Sequence, residues 1–407
     1  MSVDETDVPR APGAPDTRRA DVTATESDDD RTLSTGVDPI LADFAAAAAP
    51  DTPSEQRRDL TKVRWIAIAA WAALIVYEFW QHGFAFDRTR LIVLLVLGLL
   101  AASIGRRSAL TVIIDWLPFA LILMLYDWTR DVAVWLGMPT HWHLAVDIDN
   151  WMFGVNPTVF LQSHLKHAGP TWWEVITSVV YMSYFIVPYA VAAVLWLRDR
   201  AAWRRYAACF VATTFLALVG YTLLPAAPPW AAAKCTAAEV VDHPHDPLCM
   251  YDPAPDPSGG LLGQVDPSNP GAAPYVERIS ARGWEYLNFQ TASNLLQLGQ
   301  GKANLVAAIP SLHAGLTMLL ALFMWPRVKA LGKTLFMGYA LTMAFALVFT
   351  GEHYVIDILL GWGLAAAVIL TYRIVDARWL TPRARRRKAA AEADADSAST
   401  GSATASG

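Results

Sequence analysis

The stretch from Ala307 to Trp362 constrains the fold more than any other part of the chain. It holds two apolar runs of roughly 15 to 20 residues, Ser311 to Trp325 and Leu335 to Phe349, joined by a basic turn. A helix rises about 1.5 Å per residue, so each run can cross most or all of a hydrocarbon core about 30 Å thick. A chain that crosses and returns ends on the face it left. Two short polar signatures bracket the pair, Pro310-Ser311-Leu312-His313 and His353-Tyr354-Val355-Ile356-Asp357. His313 and His353 are therefore expected at one membrane surface, although 40 positions separate them.

The rest of the chain fits that setting. Of its 407 residues 54% are hydrophobic and only 17% charged, where a soluble protein has about a quarter charged. The apolar residues come in blocks, which predicts an all-α polytopic membrane protein of about eight transmembrane helices. The expected spans are Trp65–Trp80, Leu91–Ile104, Leu110–Tyr126, Val175–Leu197, Tyr206–Leu224, Ser311–Trp325, Leu335–Phe349 and Val355–Tyr372. Residues 1–60 read as a disordered acidic tail without the early apolar core of a secretory signal, and 61–108 as two N-terminal helices. Residues 109–376 read as the core, with long loops at 127–174 and 225–310, and 377–407 as a basic then low-complexity tail.

Charge fixes the expected orientation. Arg57, Arg58, Lys62 and Arg64, then Arg106 and Arg107, then Arg198, Arg200, Arg204 and Arg205, then Arg327, Lys329 and Lys333, and last Arg383 to Lys388 all fall on one side if there are eight spans. By the positive-inside rule that side is the cytoplasm, with both termini there; the expected location is the plasma membrane. Both long loops and both signatures then lie outside. Cys235 and Cys249 share the second long loop, on the oxidising side, where a disulfide can form; two free thiols are the alternative. Cys209 falls within a span and reads as a packing residue. The basic clusters flank membrane segments and form no folded basic domain, so nucleic acid is not an expected partner.

His353 and Asp357 stand four apart at a helix start, which puts them on one face. A carboxylate on one imidazole nitrogen fixes the tautomer and leaves the other nitrogen to react as nucleophile or base. The plainer reading is a helix-end pair with a capping role. Pro310 suits a first helical turn, where free N–H groups and the helix dipole favour an anion. The Ser311 hydroxyl can donate a hydrogen bond to a phosphate oxygen, and His313 can protonate a leaving oxygen. The plainer reading there is a generic helix start with an interfacial His.

Together these residues resemble the type 2 phosphatidic acid phosphatase (PAP2) superfamily, whose second motif is usually Pro-Ser-Gly-His and whose third ends in His-x-x-x-Asp. Leu312 in place of the Gly, and Tyr354 after the His, resemble the branch of inositol phosphorylceramide synthases. So do Leu224-Pro225-Ala226-Ala227-Pro228-Pro229-Trp230, and Asp149 through Pro157 with Leu161-Gln162. The resemblance covers about residues 110–376 and implies a six-helix PAP2-like core preceded by two extra helices. It implies that His353 attacks phosphorus to form a phospho-histidine, Asp357 orients it, His313 protonates the leaving alkoxide and then activates the acceptor, and Ser311 binds phosphoryl oxygens.

Two cationic features of the superfamily are missing. The first motif, Lys-x6-Arg-Pro, is absent near Leu224–Trp230, and Leu347 stands where the third motif has an Arg. A phosphoryl group in a dry site needs its charge compensated. Arg130 is the favoured replacement and Arg278 the next, ahead of Arg282, Lys302 and Lys166. Glu352 either raises the basicity of His353 or faces water, and water is favoured. Tyr354 is expected to pack against the Pro-Pro-Trp segment. His141 and His143 make half a metal site with no third ligand at a recognisable spacing, so neither metal nor cofactor is expected.

The function these features imply is phosphoryl transfer from a lipid phosphoester at the extracytoplasmic face. The acceptor is an alcohol or lipid in a phospho-headgroup transferase of phosphoinositol type, or water in a lipid phosphatase. A transporter or lipid-flipping protein would carry ionisable groups or broken helices near the midplane, whereas here the polar groups collect at one end. A catalytically dead scaffold sits poorly with Ser311, His313, His353 and Asp357 present together.

Overall fold

The computed structural model describes residues 60–82, 88–129, 132–252, 257–289, 292–294, 296 and 305–382. The acidic tail, Arg130, Lys302 and the Arg383–Lys388 cluster lie outside them. The described chain is helical: α1 Thr61–His82, α2 Arg88–Ser103, α3 Ala109–Thr129, α4 Leu144–Phe153, α5 Pro157–Leu165, α6 Glu174–Ser183, α7 Val187–Arg198, α8 Arg200–Leu223, α9 Leu312–Met324, α10 Ala330–Phe349 and α11 Val355–Val375. Instead of strands, only isolated bridges join His141, Ala226 and Ala307 among the described residues.

Among the described residues four helical stretches are long and apolar enough to cross a membrane: Ala109–Tyr126, Arg200–Leu223, Ala330–Phe349 and Val355–Trp379. α6 and α7 add a fifth if they count as one span, bent by 49°. Length and apolarity alone therefore do not reach the expected eight. The expected span at Val175–Leu197 is broken where Tyr184, Phe185 and Ile186 leave the helix and Pro188 restarts it. The Ser183 hydroxyl caps the break by bonding the Val180 carbonyl and the Tyr339 hydroxyl.

α9 is the hub. It has only 13 residues, yet Ala314, Leu316, Leu319, Leu320 and Ala321 are buried, and it packs against α8, α10 and α11. A helix apolar all round belongs inside a bundle. Gly361 sets its approach to α11, because a Cβ there would overlap the Ser311 carbonyl oxygen. Small residues let helix backbones meet in this way. The Ser311 N–H then reaches the Asp357 carbonyl at 2.9 Å, locking the starts of α9 and α11 together.

The two ends of the bundle differ in chemistry. At one end Arg200 pairs with Asp115, Trp196 Nε1 donates to the same carboxylate at 2.7 Å, and Arg107 sits over the Trp196 ring. At the other end lie the polar signatures and a loop layer closed by the Cys235–Cys249 disulfide. Cys209 is free and buried.

Candidate active site

The first turn of α11 is capped from within and from without. Asp357, fully buried, accepts the Tyr354 N–H at 2.9 Å and His353 Nδ1 at 3.3 Å through the same oxygen. The capping and orienting readings of this carboxylate are thus one arrangement. The free Val355 and Ile356 N–H groups donate to Asp149 of α4 at 2.8 and 3.0 Å. Burial pushes the Asp149 carboxyl up to about 6, against the pull of those two donors. The sequence reading included Asp149 only within a family-like segment. The available signal was a lone carboxylate on the apolar side of a short helix.

Just before this turn, Gly351 adopts φ 75°, and the Glu352 and His353 N–H groups both bond the Leu347 carbonyl, at 3.0 and 3.2 Å. Leu347, at the position where the resembled superfamily has an Arg, here contributes backbone to hold His353.

Ser311 is the N-cap of α9, its Oγ accepting the Ala314 N–H at 3.3 Å. Pro310 therefore precedes the cap instead of opening the first turn. His313 follows one residue into the helix and enters an aromatic cage built by the α6–α7 break. Its ring stacks on Tyr181 at 5.1 Å and lies 4.1 Å from Tyr184, with Phe185 on edge. The His313 and His353 rings are 5.8 Å apart. His313 Nε2 and Asp357 Oδ1 are buried without a hydrogen-bond partner. The two signatures do meet, and the break in the expected fourth span supplies the cage.

Of the candidate cations, Arg278 reaches this site. Its Nε and a terminal nitrogen make a paired contact with Glu352 at 2.9 and 2.8 Å, and Ser280 Oγ donates to the same carboxylate at 2.7 Å. The guanidinium lies 4.7 Å over the Trp230 ring. Burial draws its pKa down, but Glu352 and then Tyr181, the residue stacked on His313, carry it above the ordinary value. Glu352 therefore does not face water: it is 6% exposed, because Arg278 and Ser280 replace its hydration.

Among the described residues, the remaining candidates Lys166 and Arg282 are committed elsewhere, while Arg130 and Lys302 lie outside those residues. Lys166 is fully buried, bonding the Tyr275 carbonyl at 2.5 Å and the Glu277 carboxylate at 3.0 Å. Arg282 holds the His167 carbonyl at 2.8 Å and the Glu174 carboxylate at 3.6 Å. Tyr354 is buried among Ala145, Val146, Ala226, Ala232 and Ala308, so it packs against the chain flanking Pro228-Pro229-Trp230, and the Trp230 N–H bonds the Gly351 carbonyl at 3.0 Å. His141 joins the same layer through its backbone, bonding Pro225 and Ala227 at 2.8 and 3.2 Å. Gln162, in the same family-like segment, has a task that its sequence neighbours do not announce. Its amide donates to the Glu277 and Phe349 carbonyls at 2.8 and 2.9 Å and accepts the Glu277 N–H at 2.9 Å, so α5 clasps the loop next to Arg278.

An all-helical membrane bundle with two imidazoles, a buried carboxylate and an arginine at one end defines a class. The chain belongs to the PAP2 superfamily, whose pattern matches residues 146–371, more than half its length. It is an integral membrane lipid phosphotransferase or phosphatase. It is similar to a phosphoinositol dihydroceramide synthase of Bacteroides thetaiotaomicron, with 24% identity over 258 residues, covering 60% of this chain and 71% of that protein. No solved structure matches the chain.

Proposed function

We propose that the protein moves a phosphoinositol-type headgroup from a lipid phosphodiester to a lipid alcohol through a phospho-histidine on His353. The observation that carries this reading is the meeting of His353, held by Asp357, with His313 at a ring distance of 5.8 Å. With Nδ1–H directed to Asp357, His353 Nε2 keeps its lone pair and attacks phosphorus. The P–O bond to the donor lipid breaks, and protonated His313 gives that oxygen its proton. Neutral His313 then takes the proton of the acceptor hydroxyl. The acceptor oxygen attacks phosphorus, the P–N bond breaks, and His353 returns to its starting state. Ser311, Arg278 and, on the sequence reading, Arg130 compensate the phosphoryl charge.

The site faces the extracytoplasmic side of the plasma membrane, with both termini cytoplasmic. Support comes from the basic groups gathered at the opposite end and the disulfide at the site end. Similarity to a phosphoinositol dihydroceramide synthase favours a lipid acceptor over water.

The test is product analysis. Purified protein in mixed micelles receives phosphatidylinositol with or without a ceramide-type alcohol, and phosphorus NMR follows the products. A new phosphodiester that needs both the acceptor and His353 is expected. Release of inositol phosphate alone would make the enzyme a hydrolase, and an unchanged product pattern in His353→Ala would remove His353 as nucleophile.

A further inference from the structure

Behind α11, away from the imidazoles, α5, α10 and α11 line an open crevice of about 290 Å³. Its walls are apolar throughout: Pro157 and Phe160 from α5, Phe345 and Val348 from α10, and Ile358 and Trp362 from α11. We infer that this crevice seats an acyl chain of a resident bilayer lipid.

Position, shape and level each support that occupant. α10 and α11 both have the length and apolarity of membrane spans, so the medium at their outer face is hydrocarbon. The crevice indents that face along Val355 to Trp362, a helical length of about 10 Å, which suits a stretch of extended chain. α4 and α5 mark the depth. Asp149 points inward as a cap, while Trp151 is 84% exposed and Phe153 and Phe160 are about half exposed. Trp and its aromatic neighbours favour the lipid–water interface. A lipid whose headgroup lies at that level can drop its chain beneath α5.

The occupant is not the reacting lipid. Val355, Ile358, Leu359 and Trp362 repeat at helical spacing and form one face of α11. Asp357 and Gly361 lie on the other face, against the start of α9. The thickness of α11 thus separates the crevice from the imidazoles. Yet the crevice bears on the site, because α5 also carries Gln162, which holds Phe349 and Glu277, the residue before Arg278. A seated chain braces α5 against α10 and α11, and with it the loop that delivers Arg278.

The experiment uses the full chain in nanodiscs containing phosphatidylcholine with a photoreactive diazirine on one acyl chain, and maps the adducts by mass spectrometry. Labelling of the crevice is expected to saturate, to fall on competition with unmodified lipid, and to exceed severalfold that of Leu216 and Val219, which stand about half exposed on α8. Ala344 of α10 and Leu359 of α11 also line the crevice, so Ala344→Phe and Leu359→Trp fill it from different walls, and each should reduce its labelling severalfold in variants that remain monodisperse. Non-saturable labelling equal to that of α8, or crevice labelling unchanged in both filling variants, would mean ordinary lipid contact and overturn the inference. The readout is independent of turnover, so it stands or falls separately from the proposed reaction.

Discussion

Asp149 and Val355 stand 206 positions apart and share a hydrogen bond of 2.8 Å. The same carboxylate takes the Ile356 N–H at 3.0 Å. The first N–H groups of a helix have no partner inside it, and a buried helix start needs one. Here it comes from another helix, so the segment that presents His353 is pinned to α4. Removing the cap in Asp149→Ala should cost roughly 1–2 kcal/mol. It should also lower turnover, because the His353 turn loses its outer support. Thermal unfolding in detergent at pH 5 measures the first effect. An alanine variant as stable and active as the parent would refute the capping role.

The same carboxyl carries a pH signature. Burial raises its pKa from 3.8 to about 6 in the folded protein. Between about pH 4 and pH 6 the folded state holds a proton that the unfolded chain has released. The stability this group contributes is therefore full below about pH 4 and is lost as the pH rises through about 6, by ~3 kcal/mol in total. Asp149→Asn keeps an oxygen acceptor and cannot ionise. Its unfolding temperature should drop less than the parent's between pH 5 and pH 7.5, and identical pH slopes would contradict the assignment.

The two signatures were legible because each is local in sequence. The return path of two apolar runs is enough to bring His313 and His353 to one surface. Asp149, Gln162 and Glu352 were harder, since each acts on backbone or side chains 72 to 207 positions away, and nothing in their own neighbourhood names that partner. Glu352 read as a solvated charge because its counterion lies within the 225–310 loop, with α9 and α10 between the two in the chain. The bend between α6 and α7 was hidden because the apolar run continues through it and outweighs its one local signal, Pro188; the His313 ring packs into the break from another helix.

The paired contact between Glu352 and Arg278 predicts a positioning role for the carboxylate. A bidentate, charge-assisted pair fixes the plane of the guanidinium as a single-point contact cannot. Glu352→Gln should lower turnover by about 10- to 100-fold, and Arg278→Lys should do no better, because lysine lacks the fork. Breaking the pair from one side also costs stability, less than the ~3–5 kcal/mol of a fully buried pair, because the Arg278 side chain is 24% exposed. The control is the double variant Arg278→Met with Glu352→Met, which should recover much of the stability lost in the single variants without recovering turnover. Recovery of both would leave the pair a purely structural role.

His313 can be separated from His353 by the order of the proposed steps. His313 serves as acid for the departing lipid oxygen and as base for the incoming one, each worth about 10²- to 10⁴-fold. A phosphodiester with a nitrophenolate leaving group needs no acid for the first step. With that donor, His313→Ala should form the phosphorylated enzyme in a burst and then discharge it slowly to the alcohol acceptor. His353→Ala should form none. Radiolabelled donor and a rapid quench measure the trapped species, which should survive base and hydrolyse in acid as a phosphoramidate does. A burst that persists in His353→Ala would move the covalent step to another residue. Loss of the burst in His313→Ala with this donor would mean that His313 chiefly shapes the ground-state site through its stack with Tyr181.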